Sequence, residues 1–306
     1  MRSSIVVPPA EHFDTEVLGK HWIPLSVTDS ETAAELRARL GVDFAGVAGR
    51  GEIDDFVYLP VVVNYRRGEV FECETIVFAL GDEFVVTLQP AEPFEPFDAA
   101  IVKMGRQPLL TASARGVMYA LLWSLNQESD RLVRAVSEAL AQLRGEIDAA
   151  VQRRGFGVAE VRVALSGMTA IESDLSRIRE TLRQVARAAR HLRGDIGLRA
   201  LELAAPMEGL LADVDCVTEH ARLEHDRVRY TLESVRTLLD IERNRVVKVS
   251  TTVTTVFLGP VLLLALYVVH SGGMPEWEYG VLVASLIAVA AVVCGLVHLT
   301  RGGGSR

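Results

Sequence analysis

The sequence predicts an α+β domain, a sheet with helices packed on it, followed by a very long stalk helix and two transmembrane helices. Three observations carry this. Strand-like runs rich in β-branched and aromatic residues fill the first part of the chain and then stop. Amphipathic helical spacing takes over from about Ser113 and persists to the first long apolar run. Two uncharged apolar runs then flank the polar stretch YVVHSGGMPEWEYG.

The N-terminal domain, 1–112, is built first. Within it IVVPP, WIPLSV, FVYLPVVVNY, VFECETIVFAL and EFVVTLQP read as strands, the last three separated by turn-like RRGE and LGDE. SETAAELRARL reads as a helix with a Ser N-cap and Glu35 as an internal charge. The proline-rich PAEPFEPFD marks the exit from the sheet. The next part, 113–205, is helical. ARGVMYALLWSLNQESDRLVRAVSEALAQLRGEIDAAVQRR carries apolar residues at helical intervals with charges between them. ESDLSRIRETLRQVARAARHLRGD is a second, more polar helix that should end at a Gly-Asp-Ile-Gly break.

The stalk helix, 206–248, begins near Pro206, a favoured first-turn residue, and meets no strong breaker until Gly259-Pro260. That is roughly 50 residues, on the order of 75 Å of helix. So long a helix must lean on neighbours. It leads without a break into the first span, 249–269. An outer loop, 270–279, a second span, 280–300, and a tail, 301–306, follow. Each span lacks Asp, Glu, Lys and Arg and is long enough to cross a hydrocarbon core.

Charge sets the compartment. From Val249 to Arg306 the only Asp, Glu, Lys or Arg residues are Glu276, Glu278, Arg301 and Arg306, which cancel, so the net charge of -8 belongs to residues 1–248. An acidic body excludes a nucleic-acid partner, which needs clustered Lys and Arg, and suits a cationic one. Arg243, Arg245 and Lys248 precede the first span, Arg301 and Arg306 follow the second, and the loop between holds only acids. The positive-inside rule therefore places both ends of a multi-pass membrane protein in the cytoplasm. MRSSIVVPPAEHFD has no apolar stretch of signal-peptide length, in keeping with a cytoplasmic N-terminus. Cys73, Cys216 and Cys294 form no metal or disulfide pattern and are expected as small buried hydrophobes in a reducing compartment.

The first span is the less lipid-like. Ser250, Thr251, Thr252, Thr254 and Thr255 crowd its cytoplasmic end, and Gly259-Pro260 interrupts its ladder, features tolerated where a helix lines a cavity. Alternating steps of three and four trace a stripe through Asn244, Val247, Thr251, Thr254, Leu258, Val261, Ala265 and Val268. Continued downward it meets Asp240, Glu233, Asp226 and Glu219, each seven apart. Val214, Val217, Val228, Leu232, Val235 and Leu239 form a separate apolar packing seam. Periodicity leaves two readings of the acids open. They are rings along a cation pathway, or an ordinary solvated face balanced by Arg222, Arg227, Arg229 and Arg236. His220, Glu224, His225 and Asp226 read as an exposed helix face rather than a metal cluster. With no nucleophile–base pairing and no phosphate-binding glycine loop, an enzyme is not expected, and the Gly-Gly-Gly-Ser-Arg tail reads as flexible.

The stretch Tyr267 to Glu276 aligns without a gap to the Tyr-Gly-Met-Asn-Phe-x-x-Met-Pro-Glu signature of CorA-type divalent metal transporters, a group that includes ZntB-like members. RNRVVKVSTTVTTVFLGP resembles that family's segment before the signature, with Asn244, Lys248, Thr255 and Phe257 on matching positions. The resemblance implies a funnel-shaped cytoplasmic domain and a homopentamer with the first span lining its pore. It implies no covalently bound cofactor; a divalent cation is both cargo and regulatory ligand. Carried onto this chain it puts the outer mouth at His270, with Val268 and Val269 before it and loop acids Glu276 and Glu278 beyond. It makes Asn244 an inner polar ring, Val247, Ser250 and Leu258 gate positions, and Glu233 an acidic ring in the funnel. Asp213 and Asp215 fall near an intersubunit regulatory site, although Gly209 stands where one acid is expected.

The departures bear on the ion. Gly-Met-Asn is Val268-Val269-His270, and an imidazole nitrogen, the one candidate metal ligand, favours Zn, Co, Ni or Cu over Mg. The expected function is transport of Mg²⁺, Co²⁺, Ni²⁺ or Zn²⁺ through the homo-oligomeric pore. Two alternatives are a membrane regulatory or binding protein that kept the fold and lost conduction, and a Zn²⁺ transporter coupled to protons through His270.

Overall fold

The computed structural model describes residues 21–44, 52–53, 56–68, 70–152 and 158–271. The chain divides into two compact units, Met1–Leu232 and Glu233–Arg306. The first contains a five-stranded sheet, β1 (Trp22–Ser26), β2 (Glu52–Ile53), β3 (Phe56–Arg67), β4 (Val70–Leu80) and β5 (Val85–Gln89), in the order β1-β5-β4-β3-β2. Only β1 and β5 run parallel, with Trp22 opposite Val85; the other neighbours are antiparallel. β3 and β4 close a hairpin on the Arg67–Val70 pair, where Gly68 at φ 60° takes the left-handed conformation that glycine adopts without steric penalty. The predicted IVVPP strand lies outside the described residues.

Alternation along the strands gives the sheet two apolar faces. Trp22, Val61, Val63, Ile76, Phe78 and Val85 point to one core, shared with helices α2 (Asp98–Arg106), α3 (Ala114–Gln152), α4 (Val158–Arg199) and the start of α5 (Ala204–Ser271). Ile23, Leu25, Tyr58, Ala79 and Val86 point to the other, covered by Leu36 and its neighbours on helix α1 (Ser30–Leu40). Phe94 and Phe97, from the proline-rich exit, stack edge-on at 4.8 Å and join Trp22 and Tyr65 in the helical core.

Polar contacts fix how α4 meets the sheet. β2 covers only the first two residues of β3, so β3 presents unpaired N–H groups farther along. Helix α4 caps them: Gln184 Oε1 accepts from the Val62 N–H at 2.5 Å and Thr181 Oγ1 from that of Asn64 at 3.1 Å. The buried Asn64 amide returns bonds to the Arg177 carbonyl and Thr181 Oγ1 at 3.0 and 2.9 Å. At the other end of the helix pair Arg115, 7% exposed, donates to Asp195 at 2.6 Å and to Asp82 at 3.0 Å. The start of α3, the end of α4 and the β4–β5 turn are thereby tied at one charge.

Several expectations are corrected. The α1 N-cap is Asp29, not Ser30: its carboxylate accepts from the Thr32 N–H at 2.9 Å. Glu35 does act as a helical charge, pairing with Arg39 at 2.7 Å. Helix α2 was not anticipated, since proline-rich flanks hide its short pattern. Helix α4 continues past Gly194 to Arg199, because Leu192 and Ile196 on either side are buried in the core and tertiary packing outweighs glycine's weak local preference. Helix α5 starts at Ala204, two residues before Pro206, and remains helical through Gly259-Pro260. Cys73 and Cys216 are exposed, not buried: each lies on the outward side of an element whose other side is packed. Among the described residues no helix is long and apolar enough to cross a membrane. Within α5, side chains are described to residue 237 and beyond it at Thr251, Thr254, Leu258 and Val261, and the second apolar run lies outside the described residues.

Candidate functional site

Helix α5 carries nearly all the candidate residues, and one side of it is committed to packing. Val214 and Val228 are fully buried, Val217 and Val235 nearly so, and Leu232 is half-buried. These are the members of the predicted apolar seam whose side chains are described, that of Leu239 lying outside them, and they turn the opposite side of α5 outward. Glu219, Asp226 and Glu233 are all exposed on that outward side. In the second unit Thr251 and Thr254 are exposed, as are Leu258 at 55% and Val261 at 50%. Asp240, Asn244, Val247, Ser250, Ala265, Val268, Val269 and His270 are helical in α5, but their side chains lie outside the described residues; Glu276 and Glu278 lie outside them altogether.

The electrostatics of the outward face are specific. Arg222 donates to both oxygens of Glu219 at 2.8 and 2.9 Å and stands 3.9 Å from Asp226. The bonds from Arg222 hold the Glu219 carboxyl below its ordinary value. Arg227, by contrast, does not balance the acid stripe. It reaches Glu224 at 2.6 Å, and Glu224 is buried, 1% exposed, with His220 Nε2 at 3.6 Å. The expected exposed face at His220, Glu224, His225 and Asp226 is thus split. Glu224 falls between Val217 and Val228 on the packed side, while Asp226 faces solvent. Among the described residues no group of three or more His, Cys, Asp or Glu side chains is placed to hold a metal ion.

Sequence reasoning missed a cation already built into the first unit. Lys103 of α2 sits 4.0 Å from the Trp123 ring centroid and 5.7 Å from that of Tyr119, both on α3. Burial lowers the Lys103 pKa, and the opposing attraction comes from Asp213 of α5. Asp213, near which the resemblance sets a regulatory site lacking its expected acid at Gly209, thus bears electrostatically on an ammonium of the same unit. The aromatic pair at spacing four on α3 was the available signal.

Compared with known families, residues 20–300 match the one described as CorA-like Mg2+ transporter protein. The chain belongs to this family. It is a family of transporters, not of enzymes. The CorA-like chain is 26% identical over 297 residues to the magnesium transport protein CorA of Pasteurella multocida (strain Pm70), covering 92% of this chain and 91% of that one. In fold it is similar to the complete structure of the CorA magnesium transporter from Methanocaldococcus jannaschii, with TM-score 0.68 at 13% identity, covering 90% and 89% of the two chains. The ZntB cytoplasmic domain from Vibrio parahaemolyticus RIMD 2210633 matches with TM-score 0.54 at 12% identity, over 72% of this CorA-like chain and 87% of that domain.

Proposed function

We propose that this CorA-like chain is a passive divalent-cation transporter of the inner membrane, in which copies of α5 surround the ion path. The observation that carries this reading is the outward stripe of α5 in the second unit. Thr251, Thr254, Leu258 and Val261 repeat at steps of three and four and are all exposed, although Leu258 and Val261 are apolar. Hydroxyls at one end and aliphatic rings beyond suit a path that admits a hydrated cation and closes by dewetting. The finer architecture belongs to the same proposal. Residues 249–269 and 280–300 are the two spans, 270–279 the outer loop, 206–248 the stalk, and both ends are cytoplasmic. Five copies follow the family resemblance. His270, Glu276 and Glu278 form the mouth, and Asn244, Val247, Ser250 and Ala265 extend the stripe. Asp226, Glu233 and Asp240 concentrate cations at the inner end.

The cation is Mg²⁺ by relation to the magnesium transport protein of Pasteurella multocida. The imidazole of His270 at the mouth favours a nitrogen-preferring ion such as Co²⁺, Ni²⁺ or Zn²⁺. A flux panel in proteoliposomes with these four ions tests both points. Uptake down the gradient is expected, and its loss in His270→Ala for Zn²⁺ more than for Mg²⁺ assigns the mouth. No flux of any of the four overturns the transport reading. The replaced Gly-Met-Asn also favours a second reading, a non-conducting regulator. Mg²⁺ flux appearing only when Val268→Gly, Val269→Met and His270→Asn are combined in a silent protein is the outcome that reading expects.

A further inference from the structure

Helix α4 carries a column of arginines that its own fold does not use. Leu175, Ile178, Leu182, Val185, Ala189 and Leu192 are buried in the core, and Thr181 and Gln184 cap β3. On the opposite side Arg179, Arg183, Arg187 and Arg190 follow at steps of four, four and three, which keeps them on one face of the helix. Arg179 is half-buried and the other three are exposed. At 1.5 Å per residue the column is about 16 Å long.

Most of its charge is left uncompensated. From Arg177 to Arg193 the chain has six arginines and a single acid, Glu180, although the net charge of the protein is -8. Glu180 takes Arg183 at 2.6 Å, and Arg193, beside the column, reaches Glu208 at 3.4 Å. Arg179, Arg187 and Arg190 form no ion pair among the described residues. Like charges three or four residues apart weaken a helix. The favourable field of a helix C-terminus acts within the last turn only, and α4 ends at Arg199, so it does not account for cations at 179–190. An anion from outside the chain removes the repulsion.

The surroundings select the kind of anion. Small-molecule sites are concave, whereas this column stands on the convex outer side of a helix. A membrane-binding helix sets apolar residues beside its cations, and among the described residues no exposed large apolar side chain falls between Arg177 and Arg193. Single-stranded nucleic acid is held by aromatic stacking, which this stretch lacks, and a long polyanion also meets the acidic remainder of the chain. A short helix with carboxylates at steps of three and four matches the column in length and spacing. Each guanidinium offers such a carboxylate two parallel N–H donors.

We propose that the arginine column of α4 is a docking surface for an acidic helical segment of a partner protein. The contact is independent of the transport reading, since none of these arginines belongs to α5.

The test uses the full chain in detergent micelles and a short fluorescent alanine-based peptide with glutamates at steps of three and four. Anisotropy should report binding at low salt that falls as salt screens the charges. Arg187→Ala with Arg190→Ala should weaken it roughly tenfold, and Arg187→Lys with Arg190→Lys should keep most of it. No binding by the unaltered chain, or equal binding by the alanine variant, overturns the proposal. So does equal binding of a peptide of the same composition with its glutamates in one block, which marks attraction without a matched surface. Tighter binding of an RNA oligonucleotide or of phosphatidylglycerol vesicles assigns the column to those ligands and overturns it. A changed oligomer size in the alanine variant, read by light scattering, assigns the column to contact between copies and overturns it as well. On heating, the alanine variant should unfold no earlier than the unaltered chain; a lower midpoint shows that the arginines hold the fold and contradicts a docking role.

Discussion

Glu128 on α3 is only 8% exposed, and burial pushes its carboxyl above the ordinary value of 4.5 despite Arg131 at 2.7 Å. Because the folded-state value is the higher, the unfolded chain releases this proton first as pH rises. The contribution to stability is complete below about pH 4.5 and is lost as pH climbs through the raised folded value. Glu128→Gln should therefore flatten the decline in stability over that window, read from denaturant unfolding of the full chain at a series of pH values. Identical slopes for both proteins would show that desolvation does not dominate. At this scale the sequence was only partly legible. Spacing correctly separated the exposed acids Glu219, Asp226 and Glu233 from the buried valines of α5. It placed Glu224 wrongly, since a carboxylate inside an apolar seam is tolerated only through specific partners, here Arg227 and His220. The Lys103–Trp123 stack joins two elements, so the aromatic pair on α3 hints at a partner without naming Lys103 of α2 as the cation.

Among the elements, the entry into α3 is tightly packed. A Cβ on Gly116 would lie 2.4 Å from the Leu110 carbonyl oxygen, so the helix reaches the preceding turn only because this residue has no side chain. Gly116→Ala should cost about 1–3 kcal/mol through forced backbone movement. Thermal unfolding of the full chain measures it, and an unchanged midpoint would mean that the turn yields freely. The same packing explains why some element boundaries were readable and others were not. Strands β1, β3, β4 and β5 follow their β-branched and aromatic runs closely, because local preference and burial agree there. Helix α4 overrides two glycines because Leu192 and Ile196 are already held in the core. The cap of α1 shifted by one residue because Asp29 and Ser30 are both good caps and only geometry chooses between them.

For the molecule as a whole, the sequence signature and the fold point to one family, and the charge distribution supplies the physical logic of the proposed activity. In that proposal the net charge of -8 would draw cations toward the acids of α5, and Thr251, Thr254, Leu258 and Val261 of the second unit are exposed at steps of three and four. The pathway claim is tested most directly by thiol block of flux in proteoliposomes. With Cys73, Cys216 and Cys294 replaced by serine, Leu258→Cys is compared with Val256→Cys, two residues away on the same helix. If α5 lines the path, a charged thiol reagent stops Mg²⁺ flux in Leu258→Cys and leaves Val256→Cys unaffected. Equal block of both, or block of neither in a protein that conducts, would contradict it.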